Sequence, residues 1–236
     1  MSPFIGEFIG TMLLIILGDG VVANVVLNKT KGNNSGWIVI TFGWAMAVFL
    51  GVYASTSLGG SGHLNPAVTI AMSVFDSKFD DALLPTYVGA QFAGAITGAI
   101  IVWLAYKQHF DATDDKDSKL GVFCNAPAIR NTAHNMITEI IGTFVLVLGA
   151  LTMSKPESSL GTLDALPVAL LILGIGLSLG GPTGYAINPA RDLGPRIAHF
   201  ILPIKNKRDS DWGYSWIPVA GPVIGALIAG YIFTQL

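Results

Sequence analysis

The chain has 236 residues, 52% hydrophobic and only 12% charged, with a net charge of −2 and a mean hydropathy of +0.60. That is too apolar for an ordinary soluble domain, and the charge balance offers nothing to a nucleic acid. The single Cys124 excludes an internal disulfide and cannot hold a metal cluster alone.

Six apolar runs are long enough to cross about 30 Å of hydrocarbon. In order they are Phe4–Leu27, Trp37–Ser57, Leu83–Tyr106, His134–Met153, Leu163–Leu179 and Trp216–Phe233. No basic stretch precedes the first, so it reads as a retained helix and not a cleaved leader. Two shorter apolar stretches, Pro66–Phe75 and Pro189–Leu202, each follow an asparagine. At about 1.5 Å per residue, Pro66–Phe75 reaches about half way through a bilayer. The polar connectors are Asn28–Gly36, Lys107–Ala133, Ser154–Thr162 and Pro203–Gly213. Asp111–Lys119 carries the densest charge and reads as a solvated loop without chemistry. Asn28-Lys29-Thr30 and Asn33-Asn34-Ser35 match glycosylation acceptors, but so short a connector lies against the membrane, which argues against modification.

Asn65-Pro66-Ala67 and Asn188-Pro189-Ala190 each read as a helix start. Asparagine is a favoured N-cap, and proline suits the first helical position because its missing N–H would have no intrahelical partner. Each capping Asn keeps its side-chain NH₂ as a donor, so the two are expected to aim into a shared space. The halves also echo one another. Glu7-Phe8-Ile9-Gly10-Thr11 recurs as Glu139-Ile140-Ile141-Gly142-Thr143, and each half holds three spans and one broken segment. An odd number of spans per half requires opposite orientations. The result is an inverted repeat, about 1–106 and 134–236, whose interrupted segments point to the site of permeation.

The paired Asn-Pro-Ala boxes, the repeated Glu and the six-plus-two helix pattern resemble the aquaporin family over almost the whole chain. Asp192 after Arg191, and Pro218-Val219 in the last span, are similar to the aquaglyceroporin branch. The resemblance implies an all-α membrane channel of six spans and two re-entrant half-helices, with no cofactor, metal or catalytic residue. It implies that Asn65 and Asn188 donate to a permeating hydroxyl or water where two half-helix positive ends repel cations. Arg191 falls at the constriction, and an arginine inside a membrane segment is functional by default. Trp44, Gly176 and Tyr185 match the other constriction positions, Trp44 only if the loop before Asn65 is one residue longer than usual. Glycine at 176 is expected to widen the opening. Glu7 and Glu139 are expected to anchor the loops entering the half-helices, with His63 bracing the first loop and a candidate to face the pore. His109, His134, His199, Arg196 and Lys205 read as surface or interface residues.

The expected function is a passive channel for glycerol and other small neutral solutes, with some water, in a homotetramer at the plasma membrane. Undissociated lactic acid, dihydroxyacetone and urea are further candidate permeants. The alternatives are a water-selective aquaporin or a secondary transporter, for which Glu7 and Glu139 would be the only coupling groups. Both termini are expected to be cytoplasmic by resemblance. Yet Lys78 and Lys155 would then be the only clear inside basics, against nine outside from Lys29 to Arg208, which opposes the positive-inside rule.

Overall fold

The computed structural model describes residues 2–153, 159 and 161–236. Lys155 and most of the Ser154–Thr162 connector lie outside the described residues. Among the described residues there are nine α-helices and no strand. They are α1 (Pro3–Val26), α2 (Trp37–Ser57), α3 (Pro66–Phe75), α4 (Leu84–Ala112), α5 (Lys116–Phe123), α6 (Thr132–Thr152), α7 (Leu166–Leu179), α8 (Pro189–Ile201) and α9 (Ile217–Phe233).

Helices α1, α2 and α6 and the segment Asp81–Ala112 are long and apolar enough to cross a membrane. Leu163–Leu179, which includes a 3-10 turn, and α9 fall short of that length. The exterior is apolar along these helices, with Ile38 67%, Leu104 61% and Phe200 61% exposed, while Glu7, Gln91, Glu139, Asp192 and Arg196 are buried. This distribution suits a lipid surround with a polar interior.

The two halves use the same close approaches. In α4, a Cβ on Gly94 would meet the Phe8 carbonyl oxygen of α1 at 2.4 Å. In α9, a Cβ on Gly225 would meet the Ile140 carbonyl oxygen of α6 at 2.3 Å. Phe8 follows Glu7 as Ile140 follows Glu139, so the repeat extends to backbone packing through small residues. Each half-helix packs on the long helix of the opposite half, α3 on α9 and α8 on α4. The halves therefore interlock, and this crossing brings the tips of α3 and α8 together.

The connector after α4 departs from expectation. Asp111–Lys119 is not a solvated loop: α4 runs on to Ala112, and α5 starts at Lys116. Asp115 caps α5, accepting from the N–H groups of Asp117 and Ser118. The Ser118 hydroxyl bond, with those N–H groups, holds the Asp115 carboxyl below the usual carboxylate range. Lys119 is buried and donates to the Lys205 carbonyl at 2.6 Å. Three apolar side chains, Leu120, Val122 and Phe123, pull α5 onto the bundle, where it packs on α1 and α8. Charge density alone concealed this apolar face.

Candidate functional site

Both half-helices start as their sequences require. Asn65 Oδ1 accepts from Ala67 N–H at 2.9 Å, and Asn188 Oδ1 accepts from Ala190 N–H at 3.0 Å and Arg191 N–H at 3.2 Å. The amide donors, however, are not left free. Asn65 Nδ2 donates to the Ile187 carbonyl and Asn188 Nδ2 to the Leu64 carbonyl, both at 2.8 Å. Each cap is thus stitched to the loop ahead of the opposite half-helix. An NH₂ group has two hydrogens, so each Asn keeps one donor, and both residues line one cavity of ≈ 340 Å³.

The cavity lining is mixed. Leu14, Val48, Val52, Leu146 and Ile172 are apolar, and residues 62–64 and 184–187 also line it, in the loops whose backbone leads into the two half-helices. That backbone is held in unusual conformations. Leu64, Tyr185 and Ile187 have φ of 51°, 42° and 43°, a left-handed region that non-glycine residues avoid. Two buried carboxylates hold it there. Glu7 accepts from His63 N–H (3.1 Å) and Leu64 N–H (2.8 Å), and also from the Ser55 hydroxyl and the Gln91 amide. Glu139 accepts from Ala186 N–H (3.1 Å), Ile187 N–H (2.8 Å) and the Thr183 hydroxyl (2.6 Å). An irregular chain at membrane depth has no water to satisfy its N–H groups, and these acceptors take that place. His63 lines the cavity, with Nδ1 3.2 Å from Thr69 Oγ1 and its ring in a three-ring cluster with Phe79 and Tyr87.

Arg191 and Trp44 meet on the cavity wall, with the guanidinium carbon 4.1 Å from the centroid of the indole ring. Arg191 Nη1 also donates to the Phe123 carbonyl at 3.3 Å, so the end of α5 helps hold it. Tyr185 lines the cavity too, and its hydroxyl has no hydrogen-bond partner among the described residues. A Cβ on Gly176 would meet Tyr185 Cζ and Thr41 Cγ2 at 2.9 Å, and Gly176 is not among the cavity-lining residues. The missing side chain makes room for the tyrosine ring, which itself lines the cavity.

Two further assignments change, those of Arg196 and His199. Arg196 is fully buried, not interfacial. Its guanidinium bonds Asp192 Oδ1 through Nε (2.9 Å) and Nη2 (2.8 Å), and also bonds the Asn125, Ser210 and Asp211 carbonyls. Asp192 Oδ2 in turn accepts from Asn125 N–H at 2.7 Å. The residue read as a branch marker therefore ties α8 to the segment after α5. His199 is buried against Ser210, with Nδ1 2.8 Å from its Oγ. Lys207 caps the end of α8, donating to the carbonyls of His199, Phe200 and Leu202. His134 is exposed, as expected of a surface residue; His109 is half-buried and pairs with the Asn28 carbonyl. Pro218 is buried at the start of α9, with Val219 following it.

Sequence reading passed over Asp19. It lies inside α1 and is completely buried, with Oδ1 3.6 Å from Arg191 Nη1. A lone acid within an apolar run was the available signal.

An all-helical membrane bundle with two half-helices meeting tip to tip beside one cavity defines a membrane channel. The major intrinsic protein family profile matches residues 1–233, and the chain belongs to that family of passive channels; it is not an enzyme. It is 56% identical over 236 residues to the probable glycerol uptake facilitator protein of Thermotoga maritima, covering 100% of both chains. A more distant relative, the D/L-lactic acid transporter of Lactiplantibacillus plantarum, is 41% identical over 237 residues, covering 98% of this chain and 96% of the other. The structure is similar to the aquaglyceroporin of Plasmodium falciparum, with a TM-score of 0.86, 31% identity, and coverage of 99% of this chain and 95% of that one.

Proposed function

We propose that this protein is a passive channel for glycerol and other small uncharged polyols, with water as a lesser permeant. The observation that carries the reading is the mixed lining of the cavity, apolar side chains together with the two half-helix caps and Arg191. The apolar side chains accommodate a carbon chain while backbone carbonyls, the second N–H of Asn65 and Asn188, and Arg191 serve the hydroxyls. In this reading Trp44, Tyr185 and Arg191 form the constriction, and Gly176 acts through the tyrosine it accommodates. Two helix N-termini, each carrying about half a positive charge, oppose cations at the point where permeants are least hydrated. The high identity to a protein named as a glycerol facilitator supports the same solute class. Undissociated lactic acid, with one hydroxyl and one carboxyl, fits the same lining, and a relative is named for it.

The chain forms one channel unit per subunit, in a homotetramer at the plasma membrane, with both termini cytoplasmic. The basic residues that oppose this orientation are largely engaged within the fold. Arg130 pairs with Asp211, Arg208 with Asp117 and Lys107 with Asp111, while Lys119 and Lys207 serve carbonyls. A reporter fused to the C-terminus should read as cytoplasmic.

Stopped-flow light scattering on proteoliposomes tests the solute class with glycerol, urea, sorbitol and lactic acid at low pH. Glycerol flux well above that of empty vesicles, linear in its gradient and indifferent to ionophores, is the expected result. Permeability to water alone would overturn it, and saturable, ion-coupled flux would indicate a transporter.

A further inference from the structure

We infer that Asp19 is the counter-charge of Arg191: a positioning residue that holds the guanidinium against the wall and cancels its net charge at the constriction. The inference rests on the channel reading above. Asp19 lies behind the cavity and does not line it, whereas Arg191 does. Its carboxylate is fully buried, neither oxygen has a hydrogen-bond partner among the described residues, and Oδ1 is 3.6 Å from Arg191 Nη1. A buried acid so poorly served by hydrogen bonds either takes up a proton or keeps its charge beside a cation, and here a guanidinium lies next to it.

The neighbouring charges leave one candidate. The two arginines of α8 face two aspartates, and the pairing is one to one. Arg196 takes Asp192, whose second oxygen is held by Asn125 N–H, and Arg191 is left for Asp19. The residue before Asp19 serves the same assembly. A Cβ on Gly18 would lie 2.1 Å from Trp44 Cζ3, so only glycine lets the indole edge reach α1 while its face carries the guanidinium. Gly18 seats the ring and Asp19 seats the charge lying on it.

The consequence concerns anions. A bare guanidinium in a narrow, partly dehydrated throat would bind small anions and obstruct neutral solutes. With a carboxylate beside it, the constriction offers N–H donors without net positive charge. It then sorts permeants by hydrogen bonding and not by sign.

The test is glycerol flux in proteoliposomes as formate replaces gluconate at constant ionic strength; gluconate is the larger anion. Wild-type flux should be indifferent to the exchange. In Asp19→Asn, which keeps the shape and removes the charge, formate should bind on the order of tenfold more tightly and depress glycerol flux. Asp19→Glu should restore indifference. A formate response in Asp19→Asn equal to the wild type's overturns the inference, as does strong formate inhibition of the wild type. If Asp19→Asn does not assemble, Asp19→Asn/Arg191→Gln decides. Recovered assembly supports the pairing, because removing both charges leaves none uncompensated, and failure to recover overturns it. No glycerol flux in the wild type would sink the channel reading itself, a separate outcome.

Discussion

Glu139→Gln should cut glycerol flux while leaving the helices in place. Glu139 accepts three hydrogen bonds, from Ala186 N–H, Ile187 N–H and the Thr183 hydroxyl. The segment it holds contains Tyr185 and Ile187 with φ of 42° and 43°. Each left-handed non-glycine residue costs roughly 1–2 kcal/mol, about 2–4 kcal/mol for the two. Hydrogen bonds to a charged group contribute about 1.5–3 kcal/mol each, against about 1 kcal/mol for neutral ones. The carboxylate thus outweighs the strain with a margin of a few kcal/mol. Glutamine is isosteric but offers one acceptor oxygen, and its NH₂ would confront a backbone N–H. At least one bond is lost and the others drop to neutral strength, for a total of about 3 kcal/mol or more. At about 1.4 kcal/mol per tenfold, the loop's cavity-lining conformation falls about 100-fold relative to relaxed alternatives. A loss of that size uses up the margin over the strain, so flux should fall by more than about twofold. Proteoliposome stopped-flow reads the flux, and circular dichroism with size exclusion in detergent verifies that the bundle persists. Glycerol flux within about twofold of wild type, in an intact bundle, would show that the loop holds its conformation without the carboxylate and would refute the reasoning.

Tyr185→Phe removes a hydroxyl with no hydrogen-bond partner among the described residues. It should leave thermal stability unchanged yet alter the glycerol-to-water flux ratio by about two- to tenfold, the worth of one hydrogen bond. Gly176→His must displace the Tyr185 ring, already 2.9 Å from a built Cβ, and should reduce polyol flux more than water flux. Equal losses would remove this position from the constriction. Gly225→Ala drives a Cβ into the Ile140 carbonyl at 2.3 Å and should destabilise the protein by about 1–3 kcal/mol or more in a thermal melt. In contrast, Gly121→Ala in α5 meets nothing within 4 Å and should stabilise by about 0.5–1 kcal/mol.

How much could be read without the fold varies by residue. The caps at Asn65 and Asn188 were legible because an N-cap oxygen and the N–H groups that donate to it lie within three residues of each other. The paired Glu boxes were legible through repetition, and their contacts then followed the resemblance. Arg196 and His199 were misjudged because a charged residue in a short amphipathic helix looks the same whether its partner is a headgroup or a buried carboxylate. Asp192 was visible, but not that it answers Arg196 one turn later and the Asn125 backbone across the chain.

By itself the sequence determined what rests on neighbours along the chain: the apolar lengths of the spans, the proline-started half-helices and the inverted halves. Tertiary structure alone decided who meets whom across the seam. Asn65 is stitched to Ile187 and Asn188 to Leu64, the tyrosine ring fills the space at Gly176, and Asp19 reaches Arg191. The physical reason is that caps and apolar runs are satisfied locally, whereas a buried donor or charge specifies only that a partner must exist. The interlocking of the two halves chooses which one.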